Sequence, residues 1–236
     1  MQQTLENCLS QIADEPISVY CAGRTDSGVH ALGQVVHFES NKPRPQRAWT
    51  MGANSILPRE VAVTWAAAVP DDFHARFSAL SRTYQYIIAN QALRPSIWAG
   101  QVTWELRPLD AGRMHRAAQY WLGEHNFNAF RAAGCQANTP FRCIELIEVQ
   151  RQHGYVIVRV RANAFLHHMV RNLVGVLIEI GCGRREPIWA QEVLESQNRQ
   201  MAAKTAAPHG LYLCEVRYPE HYALEQPKQR FPALLI

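Results

Sequence analysis

Lysine is scarce in this sequence, and long apolar runs are missing from it. Lysine occurs only at Lys42, Lys204 and Lys228 among 24 basic residues. No apolar run approaches the roughly 20 residues that a membrane-spanning helix needs. The first residues also lack the basic start and apolar core of a secretory signal. These absences argue against a membrane-spanning helix and predict a cytoplasmic protein that does not associate with membranes.

Paired cysteines are missing as well. No two cysteines form a C-x-x-C pair, and none has the spacing of metal ligands, among Cys8, Cys21, Cys135, Cys143, Cys182 and Cys214. Thiols of cytoplasmic proteins stay reduced. The sequence therefore predicts neither a disulfide framework nor a zinc site.

Arginine dominates what is a mildly basic composition. The net charge is +4 and the pI is about 8.8, with 21 arginines among the 24 basic residues. Guanidinium groups bind phosphate in a bidentate manner and stack on bases, which is typical of nucleic-acid-binding proteins. A GC-rich genome also replaces lysine by arginine, so composition alone leaves both explanations open.

The predicted elements of the first part of the chain form one unit, residues 1–70. A helix with Leu5, Leu9 and Ile12 on one face precedes predicted strands at 17–22 and 34–38. A second helix at 46–56 and a strand at 61–69 follow, and Pro-Asp-Asp at 70–72 breaks the pattern. This is the order of a ferredoxin-like split βαβ unit without its opening strand.

The second part, residues 71–218, repeats that order with its opening strand present. The sequence predicts strands at 83–88, 142–150, 155–161 and 211–217 and helices after Asp110, at 166–180 and at 188–196. We therefore expect a mixed α+β fold of two ferredoxin-like split βαβ units with mainly antiparallel sheets. Residues 219–236 are predicted to be an irregular tail.

Asp26 is the candidate reactive residue, because Gly23 and Gly28 flank it and Arg24 lies two positions earlier. Glycines permit a turn that other residues would strain, and this turn connects two predicted strands. The alternative is ordinary turn chemistry, in which Asp beside Ser and Gly only shapes the backbone.

Arg171 lies in the apolar helix predicted at 166–180. A buried guanidinium without a partner is very costly, so Arg171 either reaches solvent or pairs with a carboxylate. Gly175 is one turn later and would let another backbone approach, which favours a pair with Asp26. His167 and His168 should diverge by about 100° on a helix, so we predict packing or RNA-facing histidines and no metal site.

Aromatic and basic residues alternate at the start of the second part. Phe73, His74, Ala75, Arg76 and Phe77 form one such segment, followed by Arg82. Such a mixture suits stacking on bases and binding of phosphates, although a solvated linker has the same composition. Tyr84 and Tyr86 share one face of a strand, where tyrosine is more often core than catalytic.

Four long segments resemble bacterial tRNA pseudouridine synthases that act on the anticodon arm. They are Ala-Gly-Arg-Thr-Asp-Ser-Gly-Val-His at 22–30, Phe-His-Ala-Arg-Phe-Ser-Ala at 73–79, Asn-Phe-Asn-Ala-Phe-Arg-Ala-Ala-Gly-Cys-Gln at 126–136 and Ala-Phe-Leu-His-His-Met-Val-Arg-Asn-Leu-Val-Gly at 164–175. His-Gly-Leu-Tyr-Leu at 209–213 resembles the closing motif of that family. The resemblance covers nearly the whole chain in the right order.

The resemblance implies an isomerase that converts uridines 38, 39 and 40 of tRNA to pseudouridine, as a homodimer without metal or organic cofactor. It implies that Asp26 is the nucleophile and that Arg171 pairs with it. Arg24 would help to extrude the target uridine, and Tyr84 would pack against the flipped base and assist proton removal from C5.

The resemblance also implies a binding surface for the substrate. Leu211 would line the uracil pocket, and tRNA contacts would come from Arg44, from Phe73, His74, Ala75, Arg76 and Phe77, and from the loop of Gly134, Cys135, Gln136, Ala137 and Asn138. The family has a further strand before the first helix, with a Tyr-Asp-Gly-type segment, which this sequence does not contain. We therefore expect either that the true start lies upstream of Met1 or that the chain is truncated, and that two strands lack their usual ladder partners.

Two rival functions follow from the same residues. An RNA-binding module without catalysis would use the arginines but make no demand on Asp26. An aspartic protease would need two carboxylates that share a proton, and no second Asp-Ser-Gly or Asp-Thr-Gly occurs. The sequence leaves open whether Asp26 would attack the uracil or the ribose or assist departure of the base.

Overall fold

The chain folds as two units that interleave along the sequence in the computed structural model, which describes residues 1–224. The described part of the smaller unit comprises residues 1–24, 34–80 and 216–224. That of the larger unit comprises residues 25–33 and 81–215. The limits at 70 and 218 expected for the two ferredoxin-like units stay a prediction.

Both units contain helices and strands. The helices are α1 (Gln2–Ala13), α2 (Ala53–Ile56), α3 (Ala111–Ala118), α4 (Met169–Gly181) and α5 (Trp189–Ser196). The strands are β1 (Tyr20–Cys21), β2 (His30–Ala31), β3 (Val36–His37), β4 (Ser81–Ala89), β5 (Thr103–Trp104), β6 (Gly123–Asn126), β7 (Phe141–Gln152), β8 (Tyr155–Ala162) and β9 (Leu211–Arg217). A single π-helical turn, Ala48–Gly52, precedes α2.

The core of the smaller unit forms around α1, as its apolar face predicts. Leu9 and Ala13 of α1 are buried against Ile17 and Val19. The two strands predicted at 17–22 and 34–38 are much shorter in the structure, because only two residues of β1 pair with two of β3, in antiparallel fashion. The unit therefore depends on helix packing more than on a sheet.

The strand predicted at 61–69 is wrong, since the structure places no strand there. Asn54 instead exchanges two hydrogen bonds with the backbone of Val63: the Val63 N–H donates to Oδ1 over 2.7 Å, and Nδ2 donates to the Val63 carbonyl over 2.8 Å. A side chain thus satisfies backbone groups that a ladder would otherwise satisfy.

The larger unit contains a seven-stranded sheet with the order β2-β9-β4-β8-β7-β6, and β5 pairs with β4. The β4–β8, β7–β8 and β6–β7 ladders are antiparallel, as predicted. The short β2 and β5 pair in parallel with β9 and β4, which the sequence analysis did not predict. The mixed α+β class with a mainly antiparallel sheet is confirmed.

Helices α3, α4 and α5 pack on one another, and α3 also packs on β7. Asp110 caps α3 as predicted, because its Oδ1 accepts the Arg113 N–H over 2.9 Å. Within residues 1–224 no helix is long and apolar enough to cross a membrane. Of the predicted irregular tail, residues 219–224 are described and contain one 3-10 turn, Glu220–Tyr222, whereas 225–236 lie outside the described residues.

Candidate functional site

Asp26 lies in a turn of the larger unit that leads directly into β2. The Val29 N–H donates to the Asp26 carbonyl over 3.1 Å, and Gly28 has a φ of +81°. Gly28 therefore provides the predicted left-handed conformation, whereas Gly23 does not adopt one. The pairing of β2 with β9 anchors this turn at the edge of the large sheet.

Arg171 contacts the carboxylate of Asp26 in the larger unit. Its NH1 lies 3.2 Å from Asp26 Oδ2, and its Nε donates to the Ala206 carbonyl over 2.8 Å. The Arg171 side chain is 13% exposed and that of Asp26 is 32% exposed. The guanidinium is thus nearly buried and fixed at two points, while the carboxylate it holds stays accessible to a substrate.

The close approach predicted at Gly175 is present. A Cβ at this position would lie 2.2 Å from the Lys204 carbonyl oxygen, so no side chain fits there. The Ala206 N–H also donates to the Arg171 carbonyl over 3.1 Å. Because residues 204–206 lie directly on α4, the carbonyl that orients the Arg171 guanidinium is held in place.

His167 and His168 also contact Asp26, which sequence reasoning missed. The His167 Nε2 lies 3.4 Å from Asp26 Oδ1, and the His168 Nε2 lies 3.1 Å from Oδ2. The expected divergence of about 100° is wrong, because α4 begins only at Met169 and His168 has a left-handed φ of 59°. Their ring centroids are therefore only 4.0 Å apart. No sequence pattern predicts a left-handed backbone conformation at a histidine.

Burial lowers the pKa of His168 from its ordinary value, although the nearby Asp26 carboxylate acts in the opposite direction. The lowered pKa favours a neutral imidazole, which can donate one N–H to the carboxylate. Among described residues, His167, His168 and Asp26 are also the group whose ligand atoms, all within 4.8 Å of one another, could hold a metal ion.

The loop of residues 134–138 lies beside these histidines. The His167 N–H donates to Cys135 Sγ over 3.4 Å, and Arg131 NH2 donates to the carbonyls of Cys135 and Ala137 over 2.5 and 3.0 Å. Burial raises the pKa of the Cys135 thiol, but these donors outweigh it, and the net pKa is lowered. Gly134, Gln136 and Asn138 are exposed, so this loop presents a polar surface.

Tyr84 and Leu211 are both buried in the large sheet. Tyr84 lies on β4, is 9% exposed and packs edge-on against Phe165 at 5.0 Å. Leu211 opens β9, one residue before the position that pairs with His30 of β2. Tyr86 is structural by contrast, since its hydroxyl bonds Thr103 and Ala207 and burial raises the pKa of Tyr86 to about 12.

Other predicted site residues belong to the smaller unit. Arg24 is exposed. Arg44 is exposed too, but it also holds the carboxyl end of α1: its Nε donates to the Ile12 carbonyl over 2.8 Å, and its NH2 donates to that of Ala13 over 3.4 Å. The Arg44 guanidinium therefore stabilises the carboxyl end of α1, in addition to its predicted role in tRNA binding.

Residues 73–77 divide into buried and exposed positions. Phe73 and Ala75 are 6% and 0% exposed, and their predicted contact with RNA stays a prediction. Phe73 packs against Tyr218, at 5.0 Å between ring centroids. The surface of this segment consists of His74, Arg76 and Phe77, of which Phe77 is 75% exposed.

His74 and Phe77 belong to a ring cluster, which we define as Tyr20, His37, His74 and Phe77. Tyr20 stacks on His37 at 5.2 Å, His37 meets His74 at 4.5 Å, and His74 meets Phe77 at 4.3 Å. Tyr20 is 58% exposed, and the Arg76 guanidinium lies 5.5 Å from the centre of the Phe77 ring. The cluster thus presents aromatic faces and a cation on one surface of the smaller unit.

We expect His37 to make the stability of the protein depend on pH. Burial, reinforced by His74 and opposed by Glu39, lowers the pKa of His37 below its ordinary 6.5. Its Nδ1 accepts the Ala75 N–H over 3.1 Å, which requires that nitrogen to be unprotonated. The unfolded chain therefore takes up the proton first, and the free energy of unfolding should decrease as the pH falls below 6.5.

Urea unfolding of His37→Asn at several pH values between about 7.5 and 5.5 tests this expectation. The amide oxygen of Asn replaces the Nδ1 acceptor without titrating, so the variant should lose less stability on acidification than the parent protein. His153→Asn, on the hairpin turn, is the matched control. Equal pH slopes for His37→Asn and the parent protein would contradict the assignment.

Sequence comparisons identify the family that this chain resembles. A family described as tRNA pseudouridine synthase matches residues 1–78 and 117–219. A tRNA pseudouridine synthase A of Shigella boydii is 55% identical over 96% of the chain and 84% of its own length. Proteins of the same name from Shewanella loihica and from Escherichia coli O1:K1 are each 54% identical, over 95% and 96% of the chain and 86% and 84% of their own lengths.

The matched residues include the Asp26 turn, the segment at 73–77 and the start of α4 with both histidines and Arg171. These are the positions that the structure brings together around Asp26 or places in the ring cluster. The chain therefore belongs to the tRNA pseudouridine synthase family of isomerases.

Proposed function

We propose that this protein converts uridines 38, 39 and 40 in the anticodon arm of tRNA to pseudouridine, with Asp26 as the nucleophile. The observation that carries the proposal is the half-buried Asp26 carboxylate, which Arg171 and two histidines hold in a turn anchored to the large sheet. A carboxylate held this way at a partly open site is the group that the reaction requires.

The reaction needs no net oxidation and no added atoms. The bond from uracil N1 to the ribose breaks, the base turns, and a new bond forms from C5 to the ribose. The C5 proton leaves, and N1 takes up a proton, so the product is an isomer of uridine. One carboxylate serves by attack on the uracil or the ribose, or by assisting departure of the base.

Arg171 orients the nucleophile in this proposal. The Ala206 carbonyl accepts a hydrogen bond from the Arg171 guanidinium and so restricts the motion of this side chain. The guanidinium therefore holds Asp26 Oδ2 in one orientation. The guanidinium also pairs with the carboxylate, which is the group that attacks. The neutral His168 adds a second donor to the same oxygen.

Tyr84 and Leu211 form the walls of the uracil pocket in this proposal. Both are nearly buried on neighbouring strands of the large sheet, and therefore rigid. Tyr84 packs against the flipped base and assists removal of the C5 proton. Flipping costs a few kcal/mol, less at a loop or stem end, and Arg24 offsets part of this cost by occupying the vacated position.

Binding of tRNA uses the exposed basic and aromatic surface of the smaller unit and the loop at 134–138. His74, Arg76 and Phe77 supply stacking and phosphate contacts, Arg44 supplies a further cation, and Gln136 and Asn138 supply polar contacts. The net charge of +4 supports association with an anionic partner.

We propose that the active form is a cytoplasmic homodimer. Light scattering of the purified protein tests the oligomeric state.

Arg76 and Phe77 should affect tRNA binding in different ways. Arg76→Ala should weaken binding and reduce the slope of log affinity against log salt by about one, because one phosphate contact is lost. Phe77→Ala should weaken binding by about tenfold through lost stacking and leave the slope unchanged. Filter binding at several salt concentrations measures both quantities, and identical slopes for Arg76→Ala and the parent protein would remove Arg76 from the phosphate contacts.

The target positions are tested with tRNA transcripts in which uridine at 38, 39 or 40 is replaced by cytidine, one position at a time. Pseudouridine mapping should show loss of product only at the replaced position. A transcript with cytidine at all three should bind and give no product. Product at another position in that transcript would contradict the proposed specificity, and no product on any transcript would contradict the catalytic assignment.

A further inference from the structure

The histidine pair beside Asp26 has the composition of a transition-metal site. His167 and His168 present their Nε2 atoms to the two carboxylate oxygens at 3.4 and 3.1 Å. In a tetrahedral zinc site with ligand bonds of about 2.05 Å, neighbouring ligand atoms lie about 3.3 Å apart. The two nitrogen–oxygen contacts are therefore close to that spacing, and the ligand atoms of the three residues all lie within 4.8 Å of one another.

The histidine pair is also fixed before any ion arrives. His168 holds a left-handed φ of 59° at the start of α4, a strained conformation for a residue other than glycine. This conformation turns its ring alongside that of His167, with centroids 4.0 Å apart. An ion entering the cluster would meet two imidazole nitrogens and a carboxylate oxygen that already lie within 4.8 Å of one another, which limits the reorganisation that binding requires.

The cluster is partly accessible from solvent. The side chains of His167, His168 and Asp26 are 43%, 26% and 32% exposed. Arg171 contacts Oδ2 and leaves Oδ1 to His167. The guanidinium charge opposes a cation, so the ion would be held reversibly rather than as a permanent component.

We propose that the RNA-free protein binds one divalent transition-metal ion of the zinc class through His167, His168 and Asp26, and that this ion blocks the nucleophile. Two imidazoles favour zinc, cobalt, nickel and copper, whereas magnesium prefers oxygen ligands and waters. The magnesium that accompanies tRNA therefore does not occupy the site. Metal binding itself is independent of the proposed function, and only the inhibition rests on it.

The experiment titrates Co²⁺ into the full chain without a histidine tag and without RNA, and follows the visible ligand-field absorption. We expect one bound ion per chain. His167→Ala and His168→Asn should each weaken binding by about tenfold or more, since each removes a ligand. Asn tolerates the left-handed conformation at 168, so the second variant keeps the fold. His153→Asn, which changes a histidine on the hairpin turn, should bind like the parent protein.

Activity provides the second measurement. Zn²⁺ should inhibit pseudouridine formation, magnesium should not, and a chelator should restore the full rate. Absence of the cobalt absorption, or unchanged affinity in both His167→Ala and His168→Asn, would overturn the proposal. Because the titration contains no RNA, its result decides the metal site even if the chain forms no pseudouridine, so the two proposals fail separately.

Discussion

Asp26→Asn is expected to reduce pseudouridine formation by at least about a thousandfold, which corresponds to about 4 kcal/mol of transition-state stabilisation. The amide keeps the size of the carboxylate, but it is not a nucleophile and carries no charge for Arg171. Binding of tRNA should stay within about threefold of the parent value, because contacts elsewhere on the surface dominate affinity. Single-turnover assays with excess enzyme measure the chemical step, and filter binding measures affinity.

Asp110→Asn is the matched control for this experiment. It removes one acidic charge from the same unit, but asparagine still caps α3 in place of the carboxylate that accepts the Arg113 N–H. Its turnover should equal that of the parent protein. If Asp26→Asn retained turnover while folding normally, Asp26 would be a turn residue, and the proposal that it is the nucleophile would be wrong.

Local patterns predicted the elements whose partners are close in sequence. The run that became β4 was found from its period-two alternation, and the runs that became β7 and β8 were found from the His-Gly turn that joins them as a hairpin. The cap at Asp110 was found because an acceptor side chain preceded an apolar face. Such signals lie within about a dozen residues.

Features that depend on distant partners were missed. β2 has only two residues, and it exists because β9, about 180 residues later, supplies its ladder. The run at 61–69 consists of residues with high strand propensity, but the structure places no strand there. Strand propensity alone was therefore not sufficient for a strand to form. In both cases tertiary context decided the outcome.

The candidate site was predictable in part for the same reason. The Asp26–Arg171 pair could be inferred because an arginine in an apolar helix either reaches solvent or pairs with a carboxylate, and Gly175 favoured the pair. The two histidines could not, since their approach depends on the left-handed φ of His168 and on where α4 begins. Burial of Phe73 and Ala75 likewise depends on packing that their motif does not encode.

Arg171→Lys is expected to lower the rate of the chemical step by about a hundredfold, or about 2.7 kcal/mol, with tRNA affinity nearly unchanged. Lysine keeps the charge, but its single ammonium lacks the planar fork that bonds the Ala206 carbonyl and Asp26 Oδ2 together. The carboxylate would then lose its fixed orientation. Single-turnover rates and filter binding distinguish this loss from one in substrate binding.

The matched control is Arg113→Lys, because Arg113 has the same arrangement away from Asp26. It donates to the Ile180 and Arg185 carbonyls and pairs with Glu186 at 3.1 Å. Both lysine variants should lose similar, small amounts of stability in urea unfolding, since each forfeits a guanidinium hydrogen bond. Only the change at 171 should slow catalysis. If both variants slowed catalysis equally, the effect would come from reduced stability of the packed helices α3, α4 and α5. Arg171 would then have no positioning role at the nucleophile.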